Sequence, residues 1–270
     1  MPEGHTLHRL AREQQKLFGR QVVRASSPQG RFAEGAALID GRVLQRTEAN
    51  GKHLLHYYEG SVALHIHLGL YGKFTTGTGE PPPPIGALRL RLRADSHWAD
   101  LRGATACELI EPAEIATLFG RLGPDPLRRD ADPTRAYQRI SRSRTSVAAL
   151  LMDQQVIAGI GNVYRAELLY RHRLDPFLPG NELGLDTWLE MWLDLVDLMR
   201  AGVRVGRIET LRPEDRPRKR GALSRDEAGY VYRRAGLPCR VCGTEIRTQL
   251  LVGRNLFWCP YCQASGAHHA

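Results

Sequence analysis

The chain has 270 residues, 42% of them hydrophobic and 25% charged, a globular balance that excludes a disordered or collagen-like polymer. At roughly 150 residues per domain the length suggests two domains. The longest apolar run, Val147–Met152, falls far short of the roughly 18 residues that span a bilayer. Lys and Arg number 38 against 29 Asp and Glu, a net charge of +9, which favours a polyanionic partner, meaning nucleic acid or an anionic membrane surface.

The N-terminus has no charged segment followed by an apolar stretch, so no signal-peptide pattern is read and a cytoplasmic chain is expected. A short helix is predicted from about Thr6 to Phe18, with Leu7, Leu10 and Leu17 on one side. Val62–Leu68 alternates, Val62, Leu64, Ile66 and Leu68 on one face and His65 and His67 on the other. Leu88–Arg93 alternates more cleanly, and both segments predict half-buried antiparallel strands. Gly77-Thr78-Gly79-Glu80 and the prolines at 81–84 cannot continue a ladder and are expected to form a loop. Cys107 stands alone in an apolar stretch and reads as a small buried hydrophobe. This half is expected to be a β-sandwich or barrel.

From about Asp132 the period becomes helical. One helix is predicted over Ser146–Gln154; Ile157-Ala158-Gly159-Ile160-Gly161 breaks it, and Asn162 opens another towards Arg173. Two glycines permit a tight backbone, and Asn162 is expected to cap the second helix while leaving amides aimed outwards, where a phosphate binds well. An ordinary capped helix hairpin has the same pattern. A third helix is predicted to start with a capping box, Thr187 with Glu190. It buries Trp188, Met191, Trp192, Leu195 and Met199 and ends at Gly202. Arg212–Glu227 is basic, holds two prolines and reads as a linker.

Four cysteines close the chain, Cys239-x2-Cys242 and Cys259-x2-Cys262, sixteen residues apart. Two such pairs supply the four thiolates of a tetrahedral zinc site, which would staple a hairpin too small for its own core. Its strands are read in Thr244–Leu250 and Leu256–Trp258, around a Gly253-Arg254-Asn255 turn. A basic tip residue, Arg254, suits a phosphate or a groove, although an exposed arginine at a turn is commonly just solvated. From Arg212 to Cys262, eleven Arg or Lys stand against five acids, so the positive charge is concentrated towards the C-terminus.

Met1-Pro2-Glu3-Gly4 gains meaning from the chemistry of an N-terminus. Initiator methionine is readily removed before proline, which would expose the Pro2 amine, and an α-amino group ionises near 7.7–8.0 rather than at the 10.4 of a lysine. Part of it is then neutral, nucleophilic and able to form an iminium with an aldehyde-like carbon. Glu3 beside it can shuttle protons. Many Met-Pro starts are inert, so these residues alone decide nothing.

Met1-Pro2-Glu3-Gly4, Gly51-Lys52, Gln155-x-Ile157-Ala158-Gly159-Ile160-Gly161-Asn162-Val163-Tyr164 and the four-cysteine finger with Gly253-Arg254 occur in that order. Together they resemble the formamidopyrimidine-DNA glycosylase/endonuclease VIII family of base-excision repair enzymes, over Pro2 to Gln263. The resemblance implies an α+β chain: an N-terminal antiparallel β-sandwich catalytic domain (1–130), a helical helix-two-turn-helix DNA-binding domain (131–228) and a four-cysteine zinc-finger β-hairpin (229–266). It implies that Pro2 attacks C1′ of the damaged nucleotide and forms a Schiff base, that Glu3 is a proton donor, and that Lys52 contacts DNA and is a donor in β-elimination. Asn162 and Arg254 match phosphate-gripping residues, Arg254 with a link to δ-elimination, and His67 corresponds to a phosphate contact. One structural zinc is expected on Cys239, Cys242, Cys259 and Cys262.

A flipped base leaves a gap to be filled, and Leu70-Tyr71 resembles the intercalating pair of endonuclease VIII. Asp100–Ala104 has no phenylalanine matching the formamidopyrimidine branch, and Arg121 also has the endonuclease VIII form. The expected activity is therefore that of a bifunctional DNA glycosylase and AP lyase, acting on oxidised pyrimidines in duplex DNA as a cytoplasmic, nucleoid-associated bacterial monomer with no membrane partner. The alternatives are an 8-oxoguanine/formamidopyrimidine glycosylase, a non-catalytic zinc-finger DNA-binding protein, and an RNA-binding zinc ribbon. His5-Thr6 replaces the family's usual Pro-Glu after Gly4, and Gly69 stands where endonuclease VIII has glutamine; both bear on lesion choice.

Overall fold

The computed structural model describes residues 2–217, 221, 223–224 and 226–264. The chain divides into two compact units, residues 1–121 and 122–270.

The first unit opens with α1 (Gly4–Phe18), which starts two residues ahead of the expected helix. Leu7, Ala11, Gln14 and Phe18 recur every three or four residues and form its buried stripe. Then follow β1 (Val22–Ser26), α2 (Ala33–Ile39), β2 (Arg42–Asn50), β3 (His53–Tyr58), β4 (Val62–His67), β5 (Lys73–Thr78), β6 (Leu88–Ala94), β7 (His97–Arg102), β8 (Ala106–Ile110) and α3 (Pro112–Gly120). The strands hydrogen-bond in the order β5-β7-β6-β1-β2-β3-β4-β8. β1 pairs antiparallel with β2 through Val22 and Val23 and with β6 through Arg24–Ser26, so it passes from one half of the sheet to the other. Leu44, Leu54, Leu64 and Ile66 from one half share a single buried cluster with Leu90, Leu92, Ala99 and Leu101 from the other. Two faces on one core make the expected antiparallel β-sandwich.

Gly77 and Thr78 correct the loop expectation: they finish β5, paired with Trp98 and His97. A Cβ at Gly77 would meet the Trp98 ring at 2.4 Å, so the glycine lets that ring lie across the strand. Arg91 of β6 is buried despite its charge, and it donates to both oxygens of Asp100 at 2.7 and 2.9 Å. Neither α2 nor α3 is among the expected elements, although Pro112 in the first turn and the Glu111–Glu114 capping box mark the start of α3.

The second unit contains α4 (Pro133–Ile140), α5 (Val147–Leu150), α6 (Asn162–Arg171), α7 (Leu185–Val205), β9 (Arg247–Leu251) and β10 (Arg254–Trp258). Asp132 caps α4 by accepting from the Thr134 N–H at 2.8 Å. The helix expected over Ser146–Gln154 is cut to one turn. Asp153 Oδ1 accepts from Gln155 N, and the Gln154 side chain accepts from Gly159 N and donates to Ile160 O. These local bonds offer the backbone an alternative to the helix ladder. The third helix also departs from expectation. It begins at Leu185, placing Thr187 inside the first turn, and runs past Gly202 to Val205, where Gly206 takes the left-handed conformation at φ 82°.

Two buried clusters meet on α6. Leu168 and Leu169 pack with Trp188, Met191, Leu195 and Leu256, while Ala166 and Tyr170 pack with Ile246, Phe257 and the cysteines. The metal hairpin therefore shares the helical core rather than standing beside it. Among the described residues no helix is long and apolar enough to cross a membrane.

Candidate active site and nucleic-acid interface

In the first unit, Pro2 lies immediately before α1 and is partly exposed, whereas Glu3 is the helix N-cap and fully buried. The Glu3 carbonyl accepts from Thr6 N at 2.8 Å, which fixes the first turn. His5 follows, buried, and its pKa is lowered to about 4, first by burial and then by neighbouring positive charge including Arg9. Met1 lies outside the described residues.

Lys52 occupies the two-residue turn between β2 and β3, closed by the Asn50–His53 pair. Gly51 takes φ 59° there, a conformation that glycine adopts without strain. Opposite His53 on β4 is His67. Its Nδ1 accepts from Gly69 N–H at 3.2 Å and lies 3.2 Å from Thr105 Oγ1. Burial and the charges of His65 and Lys52 lower its pKa. A neutral ring whose Nδ1 accepts must carry its proton on Nε2. His67 therefore offers an N–H, suited to a phosphate oxygen.

Past β4 the chain turns tightly, with Gly72 N donating to Leu68 O at 2.9 Å. A Cβ on Gly69 would meet Thr105 Oγ1 at 2.1 Å, and one on Gly72 would meet Leu68 O at 2.2 Å. The turn requires both glycines, and it presents Leu70 and Tyr71 outwards, Tyr71 84% exposed. Leaving a large side chain such as Tyr71 in water forgoes about 1.5–3 kcal/mol of burial. Arg121, just after α3, is exposed, and its guanidinium has no hydrogen-bond or ion-pair partner among the described residues.

In the second unit, Gly161 rather than Asn162 is the N-cap of α6. Asn162 is the first helical residue; its Nδ2 donates to Asn255 O of β10 at 2.9 Å, and its Oδ1 accepts from Arg165. The capping expectation is thus corrected: Gly161 holds the cap position, and the Asn162 oxygen that a cap would use accepts from Arg165 instead. Arg165 is fully buried and also reaches Leu251 O. The head of α6 is bound to both hairpin strands.

The hairpin turn is Val252-Gly253, with φ 51° and 66°, between the paired Leu251 and Arg254. Arg254 is therefore not in the turn but is the first residue of β10, partly buried. Its guanidinium has no hydrogen-bond or ion-pair partner among the described residues.

The ligand sulfurs of Cys239, Cys242, Cys259 and Cys262 all lie within 4.8 Å of one another. Cys239–Cys262 and Cys242–Cys259 are 3.9 and 3.5 Å apart. A tetrahedral zinc with Zn–S near 2.3 Å sets its sulfurs about 3.8 Å apart. The four cysteines fit one structural zinc. Tyr170 Oη of α6 lies 3.1 Å from Cys239 Sγ, so the site is tied to the helix from outside its ligand set.

Residues 1–107 match the formamidopyrimidine-DNA glycosylase N-terminal domain, 122–212 its H2TH domain, and 236–264 the zinc finger found in FPG and IleRS. Endonuclease 8 1 of Mycobacterium tuberculosis is 54% identical over 267 residues, 97% of this chain and 100% of the relative. The chain belongs to the formamidopyrimidine-DNA glycosylase/endonuclease VIII family of base-excision repair glycosylases. The formamidopyrimidine-DNA glycosylase of Thermus thermophilus is 31% identical over 261 residues, 92% of this chain and 91% of the relative. In fold the chain is similar to Lactococcus lactis Fpg solved with abasic-site DNA, with a TM-score of 0.79 at 21% identity over 97% and 100% of the two chains.

Sequence reasoning missed one residue that organises the second unit of this glycosylase. Glu167 of α6 is fully buried. Its Oε1 accepts from the N–H groups of Val231 and Tyr232 at 2.8 and 2.7 Å, and its Oε2 from Tyr230 N at 2.7 Å and Thr210 Oγ1 at 2.5 Å. The carboxylate thereby pins the segment that leads into the zinc finger. A glutamate on a helix is too common for its sequence position to reveal this. The fit is close enough that a Cβ on Gly229 would stand 2.8 Å from Glu167 Oε1.

Proposed function

We propose that the chain is a bifunctional DNA glycosylase and AP lyase that removes oxidised pyrimidines from duplex DNA through the Pro2 amine. The observation that carries this reading is the head of α1, where a fully buried carboxylate, Glu3, adjoins a partly exposed proline. Burying a carboxyl group costs free energy that a merely structural N-terminus has no reason to spend. The positive end of α1 also disfavours protonation of an amine placed there, which favours the nucleophilic form.

In this reading, methionine removal exposes the Pro2 nitrogen, which attacks C1′ with its lone pair. The C1′–base bond breaks and the base leaves with that electron pair, taking a proton from Glu3. The Pro2 nitrogen then loses its proton and drives out O4′, which takes a proton as the sugar ring opens; the C1′=N⁺ iminium so formed acidifies C2′–H, and loss of that proton expels the 3′ phosphate by β-elimination. Lys52 acts as a proton donor in that step. Arg254, Arg121, Asn162 and the His67 Nε2–H are assigned to the DNA backbone, and Leu70 and Tyr71 to the gap left by the extruded nucleotide. The exposed Leu70-Tyr71 pair and the 54% identity to a protein named endonuclease 8 support pyrimidine lesions over 8-oxoguanine.

Borohydride reduction in the presence of thymine-glycol or abasic duplex DNA is expected to trap a covalent complex. No trapping by protein with Pro2 at its N-terminus, or full trapping by Pro2→Gly combined with Lys52→Ala, would overturn the proposal.

A further inference from the structure

One face of the first unit's sheet carries a row of polar groups of which the mechanism above uses only His67. The register places His53 opposite His67, His65 beside them on β4, and Glu108 of β8 opposite His65. His53 Nδ1 lies 2.9 Å from His65 Nε2, and His65 Nδ1 lies 2.9 Å from Glu108 Oε1. The His53 ring also stands 5.1 Å from the rings of both His65 and His67. We propose that Glu108, His65 and His53 form a hydrogen-bonded file that fixes His53 as an acceptor beside Lys52, making His53 a positioning residue for the Lys52 ammonium in strand cleavage. This rests on the lyase reading above.

The direction of the file follows from what each atom can do. An ionised carboxylate only accepts, so His65 Nδ1 carries a proton. In a neutral His65 the other nitrogen, Nε2, then holds a lone pair and accepts from His53 Nδ1–H. That leaves His53 with a lone pair on Nε2, an atom with no protein partner among the described residues. Burial first, and then the proximity of the His65 and His67 imidazoles and of the Lys52 ammonium, lower the His53 pKa to about 3, so its ring stays neutral. Its neighbour His67 has the opposite polarity, with Nδ1 accepting and Nε2–H open.

A DNA backbone presents acceptors, not donors, to a protein. The His67 N–H can therefore meet a phosphate, and the His53 lone pair cannot. The donor assigned to His53 is the Lys52 ammonium, carried by the adjacent residue in the tight β2–β3 turn and close enough for its charge to act on the His53 ring. A flexible four-carbon side chain given one fixed acceptor loses fewer orientations when it must hold a proton at one atom of the substrate.

Two measurements test this. In the protein alone, long-range ¹H–¹⁵N NMR is expected to find the proton on Nδ1 in His53 and His65 and on Nε2 in His67. A proton on His53 Nε2 would overturn the file. In single-turnover cleavage of an abasic-site duplex, His53→Phe and His65→Phe are each expected to slow cleavage by about tenfold to a hundredfold, as for loss of one hydrogen bond to a charged group. Binding to a tetrahydrofuran duplex and the yield of borohydride trapping are expected to stay within about twofold. His53→Gln, whose amide oxygen can replace the lone pair, is expected to recover cleavage to within about threefold. Cleavage by His53→Phe at the wild-type rate, or loss of binding in step with cleavage, would refute a positioning role. Wild-type protein that neither traps nor cleaves would instead overturn the lyase reading, and the NMR arm would still decide the file.

Discussion

Replacing Glu167 with glutamine changes one oxygen to an NH2 group and leaves the size unaltered. The two carboxylate oxygens accept four hydrogen bonds, two on each, so whichever oxygen is lost removes two acceptors and turns a buried donor towards buried donors. Hydrogen bonds to a charged group are worth about 1.5–3 kcal/mol each, so the substitution is expected to cost about 3–5 kcal/mol. For a unit of this size each kcal/mol moves Tm by about 2–4 °C, and a fall of about 10 °C follows for the transition of the second unit. Calorimetry reads that shift, and amide exchange locates it: Tyr230, Val231 and Tyr232 should lose protection first. Gly229→Ala should mimic the effect, since its Cβ would crowd the same carboxylate. A Glu167→Gln protein that melts within 2 °C of wild type, with those three amides still protected, would refute the anchoring role.

Other substitutions separate stability from recognition. Tyr71→Ala removes an exposed side chain, so Tm should move by about 1 °C or less, while affinity for lesion duplex should fall about tenfold to a hundredfold through lost stacking. Arg254→Ala should lower the slope of log K against log salt by about one, as read by fluorescence anisotropy. His56 is fully buried, both ring nitrogens lack partners among the described residues, and burial lowers its pKa to about 3. Because the folded value lies below the unfolded one, the unfolded chain binds the extra proton, and stability falls as pH drops from about 6.5 towards 3. His56→Leu should therefore stabilise the protein, with an extra gain of about 2 kcal/mol at pH 5 over pH 8. Chelation of zinc should unfold the hairpin, because metal binding there is folding free energy, and Trp258 fluorescence should report it.

Much of this molecule was legible where one residue type does one job. The four cysteines are such a case, since two CxxC pairs have few purposes beyond metal binding. The alternation of Leu88, Leu90 and Leu92 is another, since every second residue of a half-buried strand must face the core. Reading failed where side chains compete with the backbone. Asp153 and Gln154 look like ordinary helix residues, yet their hydrogen bonds end α5 after one turn. Asn162 has the residue type of a cap, but Arg165 occupies the oxygen a cap would use, and a carbonyl 93 positions away in sequence takes its NH2. Glu167, Arg165 and the His53–His65–Glu108 file depend on partners that the fold brings near, and spacing along the chain carries no trace of them.

The central claim concerns one nitrogen. After borohydride reduction with an abasic duplex, nuclease and protease digestion followed by tandem mass spectrometry locates the sugar remnant on the protein. The proposed chemistry places it on the amine of Pro2, at the head of α1. A remnant mapped to Lys52 or any other lysine, or no adduct on protein that begins at Pro2, would contradict it.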